Sequence, residues 1–501
     1  MEGNDNPELT AWLVAQGDWT RTYLTRLPGR EALLARIRTL GNATGQVDGV
    51  TLVAGKLFYF KTAPGEQLRK IMVREAGRER VIVEPAMFQA ASGHASIDGF
   101  SASPDGRRLA FNLSIGGGEV AAVHVLDVAT GKELADQVER VPGGLPVVWL
   151  PDSSAFFYTQ KVAEAPGVDP MLNPQARLHI LGTGADKDVT VLGSTLDGVK
   201  IAANEWPTII QTGSSRWVLA GIAGARSEGR YVIAPLAAID RSGAGHTPWQ
   251  TLAEYADGAA DVAVHGDRVY VRAYKVGSNF GILSVPAAHP DLAAARVEIA
   301  EDPQASLVTI TAARDALYLV KSVNGSAHLL RWAWRGQPTE VALPFDGWID
   351  ALVSDPARDG VLFDEEGWTH PRGFYAYEPG KLPVAIDALA TQTNADYTGI
   401  VADEVDAVST NGTRVPLSIL HRKDIARDGA RPTIVYGYGG YGNSLVSSFV
   451  PARLPWLERG GIVAFCHVRG GGEKGHAWHV DGSHEHKMNG VHDFEACAQA
   501  L

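Results

Sequence analysis

The chain reads as an all-β, seven-bladed propeller, preceded by two helices and followed by an unfinished α/β layer. Three observations carry that reading. Helical spacing of apolar residues is confined to residues 8–40. A turn followed by a β-run then recurs seven times, at a spacing of roughly 45–60 residues. The last hundred or so residues change style again, to strand, glycine-rich loop, strand, glycine-rich loop, helix.

In the first segment Trp12, Trp19, Tyr23 and Leu27 recur at helical spacing, Pro28-Gly29 breaks the run, and Leu33, Leu34, Ile37 and Leu40 resume it. The seven turns that follow open at Asp48-Gly, Ser103-Pro-Asp-Gly, Pro151-Asp-Ser-Ser, Gly213-Ser-Ser-Arg, His265-Gly-Asp-Arg, Ala313-Arg-Asp and Ala357-Arg-Asp-Gly. Most are followed by a second hairpin, as where Thr130-Gly131 turns the run that begins at Val123. Such units match four-stranded blades that bury one sheet face against the next. A β-sandwich is the rival, but one sandwich rarely needs some 350 residues. The expected divisions are 1–45 for the helices, 46–395 for the propeller and 396–501 for the last unit. There, a hairpin turns at Asn411-Gly412, strands run at 433–436 and 462–468, and Val491, Phe494, Cys497, Ala498 and Leu501 form the apolar stripe of a helix.

Composition excludes several functions. Hydrophobic residues at 45% and charged residues at 20% are an ordinary globular balance. The net charge of −12 is spread without a Lys/Arg-rich run, which argues against nucleic acid as a partner. No apolar run reaches eighteen residues, so no membrane span is expected. The start, Met1-Glu-Gly-Asn-Asp-Asn-Pro, has neither a basic n-region nor an apolar h-region. A cytoplasmic location is favoured, with a periplasmic one left open because the start reads as clipped. Cys466 and Cys497 allow one bridge at most, and Cys466, within an apolar run, reads as a buried small hydrophobe.

Two motifs carry chemistry: Tyr436-Gly-Tyr-Gly-Gly-Tyr-Gly, and Arg469-Gly-Gly-Gly-Glu-Lys-Gly-His-Ala-Trp-His. With the residues just before them they resemble the glycine-rich signatures that open the peptidase domain of the prolyl oligopeptidase family. The order of parts, helices then propeller then α/β-hydrolase domain, agrees with it. The resemblance covers essentially the whole chain, loosely over the propeller and closely over 431–479. It implies a serine endopeptidase that cleaves short peptides after proline, needs no cofactor, is monomeric when full length, and packs its N-terminal helices on the hydrolase domain. It also implies that Tyr438 donates to the oxyanion and that Tyr441, where phenylalanine is more usual, walls the proline pocket with a polar tip. A phenol on an early loop of this fold is a donor able to point at a developing alkoxide. Arg469, Glu473 and Trp478 read as scaffold, an ion pair and a loop anchor.

Six histidines, His467, His476, His479, His484, His486 and His492, crowd into 26 residues. No H-E-x-x-H spacing occurs, so loop histidines exposed to solvent are expected rather than a metal site. No serine has glycines two residues away on both sides; Ser444 comes nearest, in the wrong loop. Because the triad of this fold runs Ser, Asp, His along the chain, all three are expected beyond Leu501. At the other end, Met1-Glu2-Gly3 reads as the close of a P-Y-x-W-L-E segment usual in the family. The 501-residue polypeptide is therefore expected to lack peptidase activity and to be poorly soluble, with an unpaired sheet edge. Two other readings stand beside this one. The first is a non-catalytic propeller that binds peptides, or a gene fragment without function; the second is an oligopeptidase cleaving after basic residues.

Overall fold

The computed structural model describes residues 6–88, 93–196, 198–211, 215–323, 325–426 and 428–501. The expected turn at Gly213-Ser214 and the first five residues lie outside them. Seven four-stranded antiparallel sheets follow one another over 46–83, 95–142, 148–193, 206–253, 259–299, 306–341 and 352–385. Each is one contiguous stretch of chain whose strands pair in sequence order, the arrangement of a propeller blade. The seven-bladed expectation is met.

The repeated turns do more than connect strands: they stack on one another around the ring. In blade 2 the Ser103 hydroxyl caps the turn, accepting from the Arg108 amide and donating to Asp105. The Asp105 amide then donates to Ser153 Oγ, in the corresponding turn of blade 3, at 3.2 Å. Arg216 pairs with Asp267 between blades 4 and 5, and Arg314 with Asp359 between blades 6 and 7. A weak sequence repeat is thus visible because its polar residues meet their neighbours' copies.

Between the blades lie apolar seams, one at each junction. Phe58, Phe111 and Leu109 fill the first, Trp149 and Phe156 the second, and Trp332 and Tyr270 the junction of blades 5 and 6. The junction of blades 7 and 1 is the smallest, with Val47, Val50, Tyr59 and Met72 against Phe374 and Leu389. Among the described residues no strand is exchanged there, since each blade is built from its own segment. The ring is closed by side-chain packing.

Beyond the propeller an eighth sheet, of a second kind, appears. The hairpin Ile400–Val408 and Arg414–Arg422 pairs antiparallel with Ile462–Cys466, which pairs parallel with the edge strand Thr433–Gly437. Ile434 and Tyr436 on that edge strand are each 49% exposed. The second N-terminal helix, Arg30–Asn42, packs here: Leu40 joins Tyr397, Leu420, Leu454 and Leu457, and Arg36 forms a two-pronged bond with Glu458. The first helix, Pro7–Thr25, is capped by Asn6 and buries none of its residues, leaving Trp12, Trp19 and Tyr23 exposed.

Two expectations need correction. Cys466 is buried, but it forms a disulfide with Cys497, stapling strand Ile462–Cys466 to helix Lys487–Gln499. Its closure of a 31-residue separation is worth about 3–4 kcal/mol on chain-entropy grounds. Sequence spacing could not show that strand and helix bring the two sulfurs together. The helix stripe also differs: Gly490, Asp493, Ala496 and Cys497 face inward, while Val491 and Phe494 stay partly exposed. An ion pair to Asp493, described below, turns the helix that way.

The smallest seam should be the most sensitive to truncation. Phe374→Ala is expected to cost about 3–5 kcal/mol, read as a lowered urea midpoint, with faster proteolytic nicking at blades 1 and 7 than elsewhere. An unchanged midpoint would show that packing at this junction does not hold the ring.

Candidate functional site

Strands Thr433–Gly437 and Ile462–Cys466 run parallel, so the loops that follow them emerge at the same end of the sheet, where α/β layers bind ligands. These loops, 436–444 and 469–475, carry the two glycine-rich motifs. They pack backbone on backbone. A Cβ on Gly470 would lie 2.3 Å from the Gly439 carbonyl oxygen, and one on Gly472 would lie 2.2 Å from that of Gly442. Both positions therefore exclude any side chain, and Gly470 and Gly439 also have positive φ. The Gly442 amide donates to the Gly470 carbonyl at 3.1 Å, and Lys487 Nζ donates to that of Gly439.

Arg469 fixes the second loop. Its side chain is 1% exposed and bonds the carboxylate of Asp493, itself 0% exposed, through Nε at 2.9 Å and Nη2 at 2.7 Å. The Arg469 amide donates to the same carboxylate at 3.0 Å, and Nη1 reaches Asp481 at 2.8 Å. Burial disfavours the charge on Asp493, but the Arg469 hydrogen bonds prevail and hold its carboxyl below the usual range. The expected scaffold role of Arg469 stands, with partners the local motif does not contain. Glu473 instead accepts from the Leu445 amide at 2.8 Å, and Trp478 packs in the core of the sheet.

Tyr438 folds its ring over Gly440, 3.5 Å from where a Cβ there would sit, and is 47% exposed. Its hydroxyl makes no hydrogen bond among the described residues. Tyr441 holds the left-handed conformation with φ 57°, rare for a non-glycine residue, and is 66% exposed. It lines a cavity of about 230 Å³ between the loops and the propeller. Phe280, Leu307 and Val308 supply its apolar walls, while Arg272, Asn443, Ser444, His476 and His479 make it more polar than the sequence implied. Arg272, Ser227 and Phe280 could not be read as site residues from sequence, because only the closing of the ring brings blades 4 to 6 over the loops. The one local hint is Arg272 itself, a second charge in the strand Arg268–Ala273 after the Arg268 that opens it.

The histidines do not behave as one exposed group. His467 is buried and accepts or donates at Ser418 Oγ, 2.8 Å away, with Glu473 at 3.6 Å from its other nitrogen. That order imitates a nucleophile, base and orienting acid. However, Ser418 is 2% exposed and its hydroxyl is already spent on Glu404 at 2.7 Å, so the array is structural. His476 stacks on Tyr274 at 3.6 Å, and burial lowers its pKa. His479 bonds the Gly470 carbonyl through Nδ1. His484, His486 and His492 lie toward solvent. Among the described residues no three metal-binding side chains converge, and no helix is long and apolar enough to cross a membrane.

The propeller is tied to this layer at several points. The Glu366 carboxylate of blade 7 accepts from the Phe449 amide at 2.7 Å, and Ser447 donates to the Glu366 carbonyl. At blade 5 the His476 and Ala477 amides donate to Ser278, each at 2.8 Å.

A seven-bladed propeller joined to the glycine loops of a partial α/β layer is the architecture of the propeller-capped hydrolases. The chain belongs to the prolyl oligopeptidase family of serine peptidases. Residues 1–382 match the family described as "Prolyl oligopeptidase, N-terminal beta-propeller domain", and residues 447–501 match "Prolyl oligopeptidase family". The chain is similar to a prolyl endopeptidase of Elizabethkingia meningoseptica, 25% identical over the whole chain and 69% of the relative. A solved structure from a study of two prolyl endopeptidases and their inter-domain dynamics superposes with a TM-score of 0.88 at 27% identity, over all of this chain and 72% of that one. Prolyl oligopeptidase B from Galerina marginata, bound to a 25mer macrocyclization substrate, shares the fold at a TM-score of 0.88 and 21% identity, again over all of this chain and 72% of that one.

Glu365, next to the Glu366 clamp, is 0% exposed, and burial pushes its carboxyl up to about 8, opposed in part by the Phe345 amide. Its folded pKa thus lies above an unfolded value near 4.3. Stability from this group is complete below that value and is lost as pH rises through about 8. Glu365→Gln is expected to flatten the fall in urea midpoint between pH 5 and pH 8; an identical slope in the variant would contradict the assignment.

Proposed function

We propose that these 501 residues supply the substrate-gating and oxyanion-binding part of a serine endopeptidase that cleaves short peptides after proline. What supports the reading most is the Tyr438 hydroxyl, unengaged and set among two interlocked glycine loops, in a chain of this family. In the tetrahedral intermediate a phenol so placed donates to the oxyanion, a contribution typically worth 10²–10³ in rate where a single donor is removed. Tyr441 walls the pocket for the substrate proline, its positive φ throwing the ring toward the cavity side of the loop. The propeller covers the loops and admits peptides rather than folded proteins. Related prolyl oligopeptidases act on peptide substrates, in keeping with a peptide partner here.

The chemistry of bond cleavage needs a nucleophile and a base as well. No serine of the 501 residues stands in a G-x-S-x-G elbow, and among the described residues the buried pair of Ser418 and His467 is sealed from substrate. The 501-residue polypeptide is therefore expected to bind proline-containing peptides without hydrolysing them. Two measurements check this. Incubation with a chromogenic peptide ending in proline should release no chromophore; release abolished by a serine-reactive inhibitor would overturn the reading. Tyr441→Ala should weaken binding of a proline-containing tetrapeptide by about 2- to 12-fold, the worth of one aromatic contact. Unchanged affinity would place the proline elsewhere.

A further inference from the structure

The cavity beside Tyr441 holds a feature that the oxyanion and proline roles leave unused. Arg272, from blade 5, lines it with its guanidinium 4.5 Å over the Phe280 ring. Only Nη1 is engaged, donating to the Leu307 carbonyl at 3.0 Å. Nε is shielded from solvent and has no hydrogen-bond partner. Asp261, opposite on the neighbouring strand, is spent on the Thr309 hydroxyl and the Ile310 amide and forms no ion pair with Arg272 among the described residues. Burial accordingly lowers the Arg272 pKa, with Asp261 opposing only in part.

Buried N–H groups are almost always paired, and leaving one unpaired is costly, so an orphaned arginine edge needs an explanation. The edge left over is informative. Nη2 makes no hydrogen bond among the described residues, so a charged N–H donor of a cavity-lining guanidinium is left for a carboxylate oxygen. The surroundings agree. In a chain of net charge −12, the cavity is lined by one arginine, two histidines, Asn443 and Ser444, and by no acidic residue. The Asn443 and Ser444 side chains have no hydrogen bond among the described residues and line the same cavity as Arg272. At about 230 Å³ the space falls below the usual 300–1,000 Å³ of a drug-sized pocket. It fits the end of a chain better than its middle.

We propose that this cavity is a carboxylate-binding site that holds the free C-terminal carboxylate of a short peptide, with Arg272 as the recognising residue and Asn443 and Ser444 as supporting donors. The site joins propeller to glycine loop through the ligand, so a peptide with a free end bridges the two parts of the molecule. The proposal rests on the reading of the chain as a peptide binder, and it adds a preference for peptides whose C-terminus lies near the proline.

The test compares one proline-containing tetrapeptide in two forms, free acid and C-terminal amide, by titration calorimetry on the 501-residue protein. The acid is expected to bind at least tenfold tighter. Arg272→Met should abolish that difference while leaving amide binding in place, and Arg272→Lys should restore part of it. The wild-type comparison needs no variant and so stands even where Arg272→Met disturbs packing on Phe280. Equal affinity of acid and amide for the wild type overturns the carboxylate site and leaves the peptide-binding reading intact. Binding of neither form overturns both.

Discussion

The arrangement of this molecule's functional end depends on one buried ion pair, Arg469 with Asp493. Two groups that are nearly inaccessible to water can be charged together only where their bonds replace hydration. Here four donors do so: three from Arg469 to Asp493, counting the backbone amide, and one to Asp481. The pair turns the helix Lys487–Gln499 so that Asp493 faces inward, and it brings Cys497 to Cys466 on the same helical side. It also holds the second glycine loop against the first. Gly439, Gly442, Gly470 and Gly472 meet without side chains, and bonds from Lys487 to Gly439 and from His479 to Gly470 add to the hold. Tyr438 and Tyr441 then inherit their places from this contact.

Function follows from what lies above those loops. The blades bring Phe280, Arg272 and Ser227 to the cavity that Tyr441 lines, and the clamps at Glu366 in blade 7 and Ser278 in blade 5 hold the two parts together. The cavity so formed is walled by both. Any ligand held in that cavity would touch propeller and α/β layer at once.

Much of this was legible in the residues. The blade number came from seven recurring turns, and at three junctions their polar residues bond the matching turn of the next blade. The glycine motifs were legible because backbone contact tolerates nothing else. What stayed hidden were pairings between distant segments. Cys466 with Cys497, Arg469 with Asp493, His467 with Ser418 and Arg272 with the 441–444 loop are each set by tertiary geometry that no local spacing encodes. His467 illustrates the point: in sequence it is one of six crowded histidines, in the fold it is a buried member of a strand-to-strand bond.

The central claim, that one ion pair holds both glycine loops as a unit, is open to direct measurement. Amide hydrogen exchange should be compared between the native chain and Arg469→Met across 437–442 and 469–475. If the account holds, protection falls in both loops together, while the propeller blades keep theirs. Loss confined to 469–475, with the first loop as protected as before, would contradict it.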